Sequence, residues 1–418
     1  MDKIIDFFEK ACYTVTVQKK RRMSMLRREA YLRPIRAFYD SDLVKIITGI
    51  RRCGKSVILD QVLEEIRTKS DNVIDLDFED AAVLSAIPDC RALLSYCDAH
   101  KGKGKCYVFL DEVQRVKDWA AAVRTLRLRD CSVFISGSNS KLLSREFTKE
   151  LSGRYVAFRV RPFVYKELAA YGRQLGKEIS ISDYLVWGGF PKRIEFDTPE
   201  AQRSYLNDLN ETIIVGDIIG RYGIRKTDLF RRLTNFVMLS NARTFSARSV
   251  SDFLKGENET CSTTTVTKYI GYLEEAYAVE ALRQFSPKAK KELSYSRKMY
   301  DADVAFNSIR HIDGRYDLTH NLENVVYNEL LYMGYSLQVY SDGAHEIDFV
   351  ADKDGKRYFV QVAYSVVEDK TYEREFSAFA KLDNSHQKIL ITNDEIDFST
   401  STVRHIPLGT FLQMEDLK

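Results

Sequence analysis

At 418 residues, with 44% apolar and 29% charged side chains, the chain has the makeup of a globular protein of two to four domains able to bury sizeable cores. Its 63 basic and 60 acidic residues nearly cancel to a net charge of +3, so local charge informs more than the total. Seven cysteines (12, 53, 90, 97, 106, 131 and 261) form no CxxC pair, which argues against a disulfide framework or zinc site and for reduced thiols in a cytoplasm. No secretory segment opens the sequence and no apolar run reaches membrane-spanning length, so a membrane partner is not expected.

Residues 1–40 form a basic N-terminal segment, with Lys19, Lys20, Arg21, Arg22, Arg27, Arg28, Arg33 and Arg36. Tyr31, Leu32, Ile35 and Tyr39 fall near helical spacing and predict a helix leading into the first strand. Its charges suit either a solvated helix face or contact with an anion such as nucleic acid or a nucleotide.

Residues 41–165 carry the chemistry. Leu43–Ile47 predicts a strand, and a helix with Val57, Ile58, Val62, Leu63 and Ile66 on one face follows. Between them, Gly49-Ile50-Arg51-Arg52-Cys53-Gly54-Lys55-Ser56 is a complete G-x-x-x-x-G-K-[ST] loop, which with Val57 forms the expected nucleotide contact. The two glycines let backbone N–H groups surround phosphate oxygens. Lys55 is expected to reach the β- and γ-phosphates, and Ser56 to offer its hydroxyl to Mg²⁺. The helix N-terminus adds partial positive charge.

Residues 72–78 predict a further strand, taken as one inserted between those carrying the loop and the acidic pair. Cys106–Leu110 is an apolar run ending in Asp111-Glu112, the form of a Walker B strand: Asp111 as metal ligand, Glu112 as general base on the attacking water. After the strand 131–136 comes Gly137-Ser138-Asn139-Ser140, where Asn139 or Ser138 suits a γ-phosphate sensor or a helix cap. Tyr155–Val160 predicts a last strand ended by Pro162. Arg154 before it suits either a surface charge or an arginine finger, acting within the chain or across a homo-oligomer. The alternation of strands and helices predicts an α/β domain with a mainly parallel sheet, helices on both faces.

Residues 166–225 read as a helical connector holding the turn Trp187-Gly188-Gly189-Phe190-Pro191. Residues 226–308 read as a winged helix. Val266, Tyr269, Ile270 and Leu273 line the apolar face of its third helix, Thr264, Thr265, Thr267 and Lys268 face outward, and strands 278–285 and 296–300 flank a loop with Lys288, Lys290 and Lys291. Such a unit suits double-stranded DNA, with a helix in the major groove and the wing on phosphate, and serves equally as a protein-docking module.

Residues 309–418 predict a helix around 322–330, then strands 336–340, 345–351 and 358–363, the order of a restriction-endonuclease-like α/β domain. In that fold Asp348 takes the first metal-ligand place and Glu323 adds a helix carboxylate. The D/E-x-K place reads Gln361-Val362-Ala363, where Gln is a poor Mg²⁺ ligand and Ala supplies no amine, so a degenerate domain without efficient cleavage is expected.

With these residues in hand, the chain resembles the prokaryotic AAA-type ATPases that carry a C-terminal nuclease-like domain of unknown function. The resemblance rests on Gly49–Ser56, Leu110-Asp111-Glu112, Ser136-Gly137-Ser138, Gly153-Arg154, Gly188-Gly189-Phe190-Pro191 and the run from Glu346 to Val350. It implies a P-loop fold with an inserted strand between the Walker A and Walker B strands, ATP binding, and similarity to signalling and defence ATPases whose nucleotide state controls an attached effector. The expected function is a Mg²⁺-dependent ATPase switch with ATP and ADP as ligands. The alternatives are an ATP-licensed DNA-binding regulator with negligible turnover and a weak metal-dependent nuclease built on Glu323, Glu346 and Asp348.

Overall fold

The computed structural model describes residues 26–138, 150–151, 153–256, 261–285, 297–311, 313–341, 345–380 and 382–418. Outside them lie the expected sensor Asn139, the basic residues Lys19, Lys20, Arg21 and Arg22, and the wing lysines 288, 290 and 291. The chain divides into two compact units, residues 1–161 and 162–418.

In the first unit, helix α1 (Glu29–Arg36) precedes strand β1 (Val44–Thr48), and helix α2 (Lys55–Arg67) follows the glycine loop. Strand β2 (Val73–Asp77), helices α3 (Ala81–Ala86) and α4 (Cys90–His100), strand β3 (Cys106–Asp111), helix α5 (Trp119–Leu128), and strands β4 (Cys131–Gly137) and β5 (Tyr155–Arg159) complete it. All pairings are parallel, in the order β2-β3-β4-β1-β5. β1, β3 and β4 are buried along their whole length, which is why they read as unbroken apolar runs. The order corrects one expectation: β4, not the strand at 72–78, stands between the loop strand β1 and the acidic strand β3, while β2 lies at the edge.

α1 is anchored by Leu32 and Ile35, both fully buried. Its arginines are not a uniform solvated face. Arg36 and Arg27 pair with Glu29 and Glu65, and Arg28 is buried.

The second unit opens with helices α6 (Tyr165–Gln174), α7 (Ile181–Trp187) and α8 (Pro199–Glu211). The Gly188-Gly189 turn has a packing cause. Gly189 N donates to Asp303 Oδ2 at 2.7 Å, and a Cβ on Gly189 would stand 1.8 Å from the Phe163 carbonyl oxygen. Helices α9 (Thr227–Leu239), α10 (Ala247–Gly256) and α11 (Thr263–Glu275) accompany the strands β6 (Thr244–Phe245), β7 (Val279–Leu282) and β9 (Arg297–Asp301), which pair antiparallel as β6-β9-β7. On α11, Val266, Tyr269, Ile270 and Leu273 are buried, while Thr264, Thr267 and Lys268 are exposed. The segment expected as one strand, 278–285, breaks: β8 (Gln284–Phe285) leaves β7 and pairs with β10 (Ser336–Ser341) of another sheet.

That sheet is six-stranded, β14-β13-β12-β11-β10-β8, with β11 (Glu346–Lys353), β12 (Lys356–Val362), β13 (Gln387–Thr392) and β14 (Val403–Pro407). The short helix α12 (Ala305–Ser308) packs against α7, α8 and α9, while helices α13 (Leu318–Tyr332), α14 (Asp369–Ala378) and α15 (Leu408–Phe411) complete this C-terminal α/β domain. The six described cysteines are free thiols, and no helix among the described residues is long and apolar enough to cross a membrane.

Candidate nucleotide site

Parallel strands place all their carboxyl ends at one edge of a sheet, and β1 delivers the glycine loop there. Gly49 has φ 144°, and a Cβ on it would stand 2.1 Å from the Val160 carbonyl oxygen, so no larger residue fits. Arg52 and Gly54 have φ 66° and 100°, the curl that lets consecutive amides point inward. Ile50 and Cys53 are buried beneath the loop, and Cys53 Sγ donates to the Val160 carbonyl at 3.3 Å. Gly54 caps α2 without a side chain, so no cap oxygen competes for the amides of its first turn. Lys55 is buried, its Nζ donating to the Ile50 carbonyl at 3.0 Å; Ser56 and Val57, next in the helix, are half-buried. Arg51, partly buried, and the exposed Arg52 sit at the loop's rim.

The register carries two further strands to the same edge. Thr48 pairs with Gly137, and Leu110 with Ile135, which puts Asp111, Glu112, Ser136 and Ser138 beside the loop. Ser136 Oγ donates to Asp111 Oδ1, and the Glu112 backbone N donates to Ser136 Oγ at 3.3 Å. Glu112 has φ 50°, a strained value for a non-glycine residue, and its carboxylate accepts from Gln114 Nε2 and from Ser138 Oγ. Burial pushes the Glu112 carboxyl up, Lys55 pulls it down and the Asp111 charge raises it again; the net direction is upward. Lys55 and Asp111 therefore act electrostatically on Glu112, and the two motifs form one site. Asp111 is buried and faces the same edge as Ser56, a donor set that suits Mg²⁺, which takes one or two protein ligands and keeps waters and phosphate oxygens for the rest.

Arg154 is not brought to this edge. Val44 pairs with Tyr155 and Thr48 with Arg159, so Arg154 precedes β5 at the opposite end of the sheet, about 15 Å along the strand direction from the loop. An arginine-finger role within the same chain fails on this geometry. The signal was in the sequence: a residue just before a parallel strand sits at the amino end, while phosphate loops follow the carboxyl end.

Arg28 was missed as part of the site. Its guanidinium Nη1 donates to the carbonyl of Cys53, in the loop, and to that of Arg161, each at 3.1 Å, and it stacks 4.4 Å from the Tyr31 ring. Arg161 N in turn donates to the Tyr31 hydroxyl at 3.2 Å, and Gln61 Nε2 of α2 donates to the Leu26 carbonyl at 3.0 Å. Residues 26–31 thus clamp the loop from behind.

A family model described as an AAA domain matches residues 41–169, and two models of domains of unknown function, DUF8612 and DUF4143, match 178–310 and 319–411. An uncharacterised protein of Haemophilus influenzae is 31% identical over 382 residues, covering 88% of this chain and 94% of that protein. An uncharacterised protein of Methanocaldococcus jannaschii is 30% identical over 377 residues, covering 84% and 82%. Among solved structures, a Walker-type ATPase of Pyrococcus abyssi aligns with a TM-score of 0.49 and 14% identity, over 69% of this chain and 96% of that one. The chain belongs to the prokaryotic AAA-type P-loop ATPases that carry a C-terminal domain of unknown function.

Proposed function

We propose that this chain is a Mg²⁺-dependent ATPase working as a switch: it hydrolyses ATP to ADP and phosphate, and its nucleotide state biases a winged-helix region and the C-terminal α/β domain. The observation that carries this reading is the meeting of the Gly49–Ser56 loop, Asp111-Glu112 and Ser138 at one sheet edge. The loop amides and Lys55 bind the triphosphate, with Lys55 on the β- and γ-phosphates. Ser56 and Asp111 hold Mg²⁺, which neutralises charge on the phosphate oxygens. Glu112 takes a proton from the attacking water, a role its raised pKa suits, because the base then works nearer neutral pH. Ser138 and Asn139 are the sensor candidates, and Arg154 serves as a finger only from a second copy of the chain.

A ligand shifts a conformational equilibrium only through contacts that differ between its states. Here the differing contact is the γ-phosphate, and the loop that grips it is tied through Arg28 to Arg161, the last residue of the first unit. Steady-state hydrolysis tests the reading: wild type turns over ATP, Lys55→Ala and Glu112→Gln do not, and equal turnover in all three proteins refutes it.

A second reading, an ATP-licensed DNA-binding regulator with negligible turnover, is favoured by one observation: Thr264, Thr267 and Lys268 are exposed along one face of α11. Duplex DNA binding titrated with salt, with and without ATP, decides it. Phosphate contacts weaken steeply as salt rises, and no affinity at low salt removes the reading.

A further inference from the structure

The three carboxylates that the sequence offers as a nuclease-like metal site, Glu323, Glu346 and Asp348, meet a lysine that no motif announced. Lys298 of β9 is buried, and its Nζ lies 2.7 Å from Glu323 Oε1, 2.9 Å from Glu346 Oε1 and 2.8 Å from Asp348 Oδ1. Lys298 Nζ donates charge-assisted hydrogen bonds to Glu346 and Asp348, and Glu323 completes the cluster as an ion pair. Second contacts hold the carboxylates in place. Tyr300 O–H donates to Glu323 at 2.6 Å, Val362 N donates to Asp348 Oδ2 at 2.9 Å, and Asp348 N donates to Gln361 Oε1 at 3.2 Å. Gln361 is itself fixed by donating to Glu375 Oε2 at 2.8 Å.

Three carboxylate oxygens converging on one point are the donor set of a hard divalent cation. Here the point is filled from outside the carboxylates' own elements. Glu346 and Asp348 stand on β11 of the six-stranded sheet and Glu323 on α13, whereas Lys298 reaches in from β9 of the three-stranded sheet. Burial alone would discharge the ammonium, but the facing carboxylates Asp348 and Glu323 outweigh it and hold Lys298 well above its ordinary range. For a metal ion to enter, the ammonium must leave both hydrogen bonds and the Glu323 ion pair and stand buried without a counter-charge, which is strongly unfavourable. Among the described residues no group of three or more His, Cys, Asp or Glu, these three carboxylates included, stands spaced to hold a metal: their oxygens lie 2.7, 2.9 and 2.8 Å from Nζ, an ammonium spacing, and must draw inward to reach a divalent ion.

We propose that Lys298 is the resident cation of this domain: its ammonium occupies the position where Glu323, Glu346 and Asp348 would otherwise bind a divalent ion, and its removal uncovers that metal site. The lysine also fastens the β6-β9-β7 sheet to the six-stranded sheet by charge rather than by a motif. This inference does not depend on the ATPase reading.

The test is Mn²⁺ binding to the full-length protein without nucleotide, followed by the electron paramagnetic resonance signal of free Mn²⁺. Wild type and Glu346→Gln should bind equal amounts. Lys298→Met should bind one further Mn²⁺ per chain, lost again in Lys298→Met/Asp348→Asn. A folded Lys298→Met protein that gains no Mn²⁺ overturns the proposal. So does a wild type that binds one Mn²⁺ more than Glu346→Gln. That second comparison decides the matter even where Lys298→Met fails to fold, because Glu346 is partly exposed and glutamine keeps its size.

Discussion

The guanidinium of Arg28 donates to the carbonyl oxygen of Cys53 at 3.1 Å, and the same nitrogen donates to the carbonyl of Arg161. A loop built to present its amides to phosphate must aim its carbonyls elsewhere, and Arg28 receives one of them. Arg28→Ala should therefore weaken ATP binding by about tenfold, near 1.4 kcal/mol. Arg28→Lys should recover only part of this, since an ammonium lacks the planar fork. Calorimetric affinities of the three proteins check this; equal affinities contradict it.

Gly49→Ala should be among the most damaging single changes in the first unit. Its Cβ would fall 2.1 Å from the Val160 carbonyl oxygen at a backbone φ of 144°. The expected cost is more than about 3 kcal/mol, seen as a clear drop in the midpoint of denaturant unfolding with the slope unchanged.

The loop, the acidic pair and all five strands of the first unit were legible because each is a local pattern. Glycines stand where φ is positive, and apolar runs mark strands buried on both faces. What was not legible depends on pairing. The place of β4 between β1 and β3 follows from sheet order, which spacing does not encode. Arg28 looked like one charge in a basic helix, because the carbonyls it serves lie 25 and 133 positions away. Lys298 was hidden for the same reason: its partners Glu346 and Asp348 lie 48 and 50 positions away. The one local clue was a lysine inside an otherwise buried strand.

Glu329 should make the stability of the second unit depend on pH. It is fully buried in α13 with Oε1 accepting from Tyr165 N at 2.9 Å and Oε2 without a partner, and burial raises its carboxyl to about 8. The folded form holds this proton more tightly than the unfolded chain. The stabilisation is therefore complete below the ordinary glutamate range and is lost as pH rises through about 8. Between pH 5 and 8, Glu329→Gln should flatten the decline in stability by up to about 1.4 kcal/mol per pH unit. Urea unfolding at several pH values reads the difference, and parallel curves for both proteins contradict the assignment.

Glu112→Gln should separate binding from chemistry. The amide keeps the shape and the bonds from Gln114 and Ser138 but accepts no proton. ATP affinity should change little while turnover falls by about 10²–10⁴-fold. In wild type the acid limb of the turnover profile should lie above the ordinary carboxylate range, because burial raises Glu112 and a base works only when ionised. A variant with normal turnover removes Glu112 from the base role.

The central claim is that the bend from Gly49 to Ser56 grips a triphosphate through its amides and the Lys55 ammonium. Isothermal titration of ATP with Mg²⁺ into the folded full-length protein tests it most directly. Wild type should release heat with one nucleotide bound per chain, and Lys55→Ala should bind at least about tenfold more weakly. No heat with any purine triphosphate at millimolar concentration, or equal affinity in the two proteins, contradicts the account.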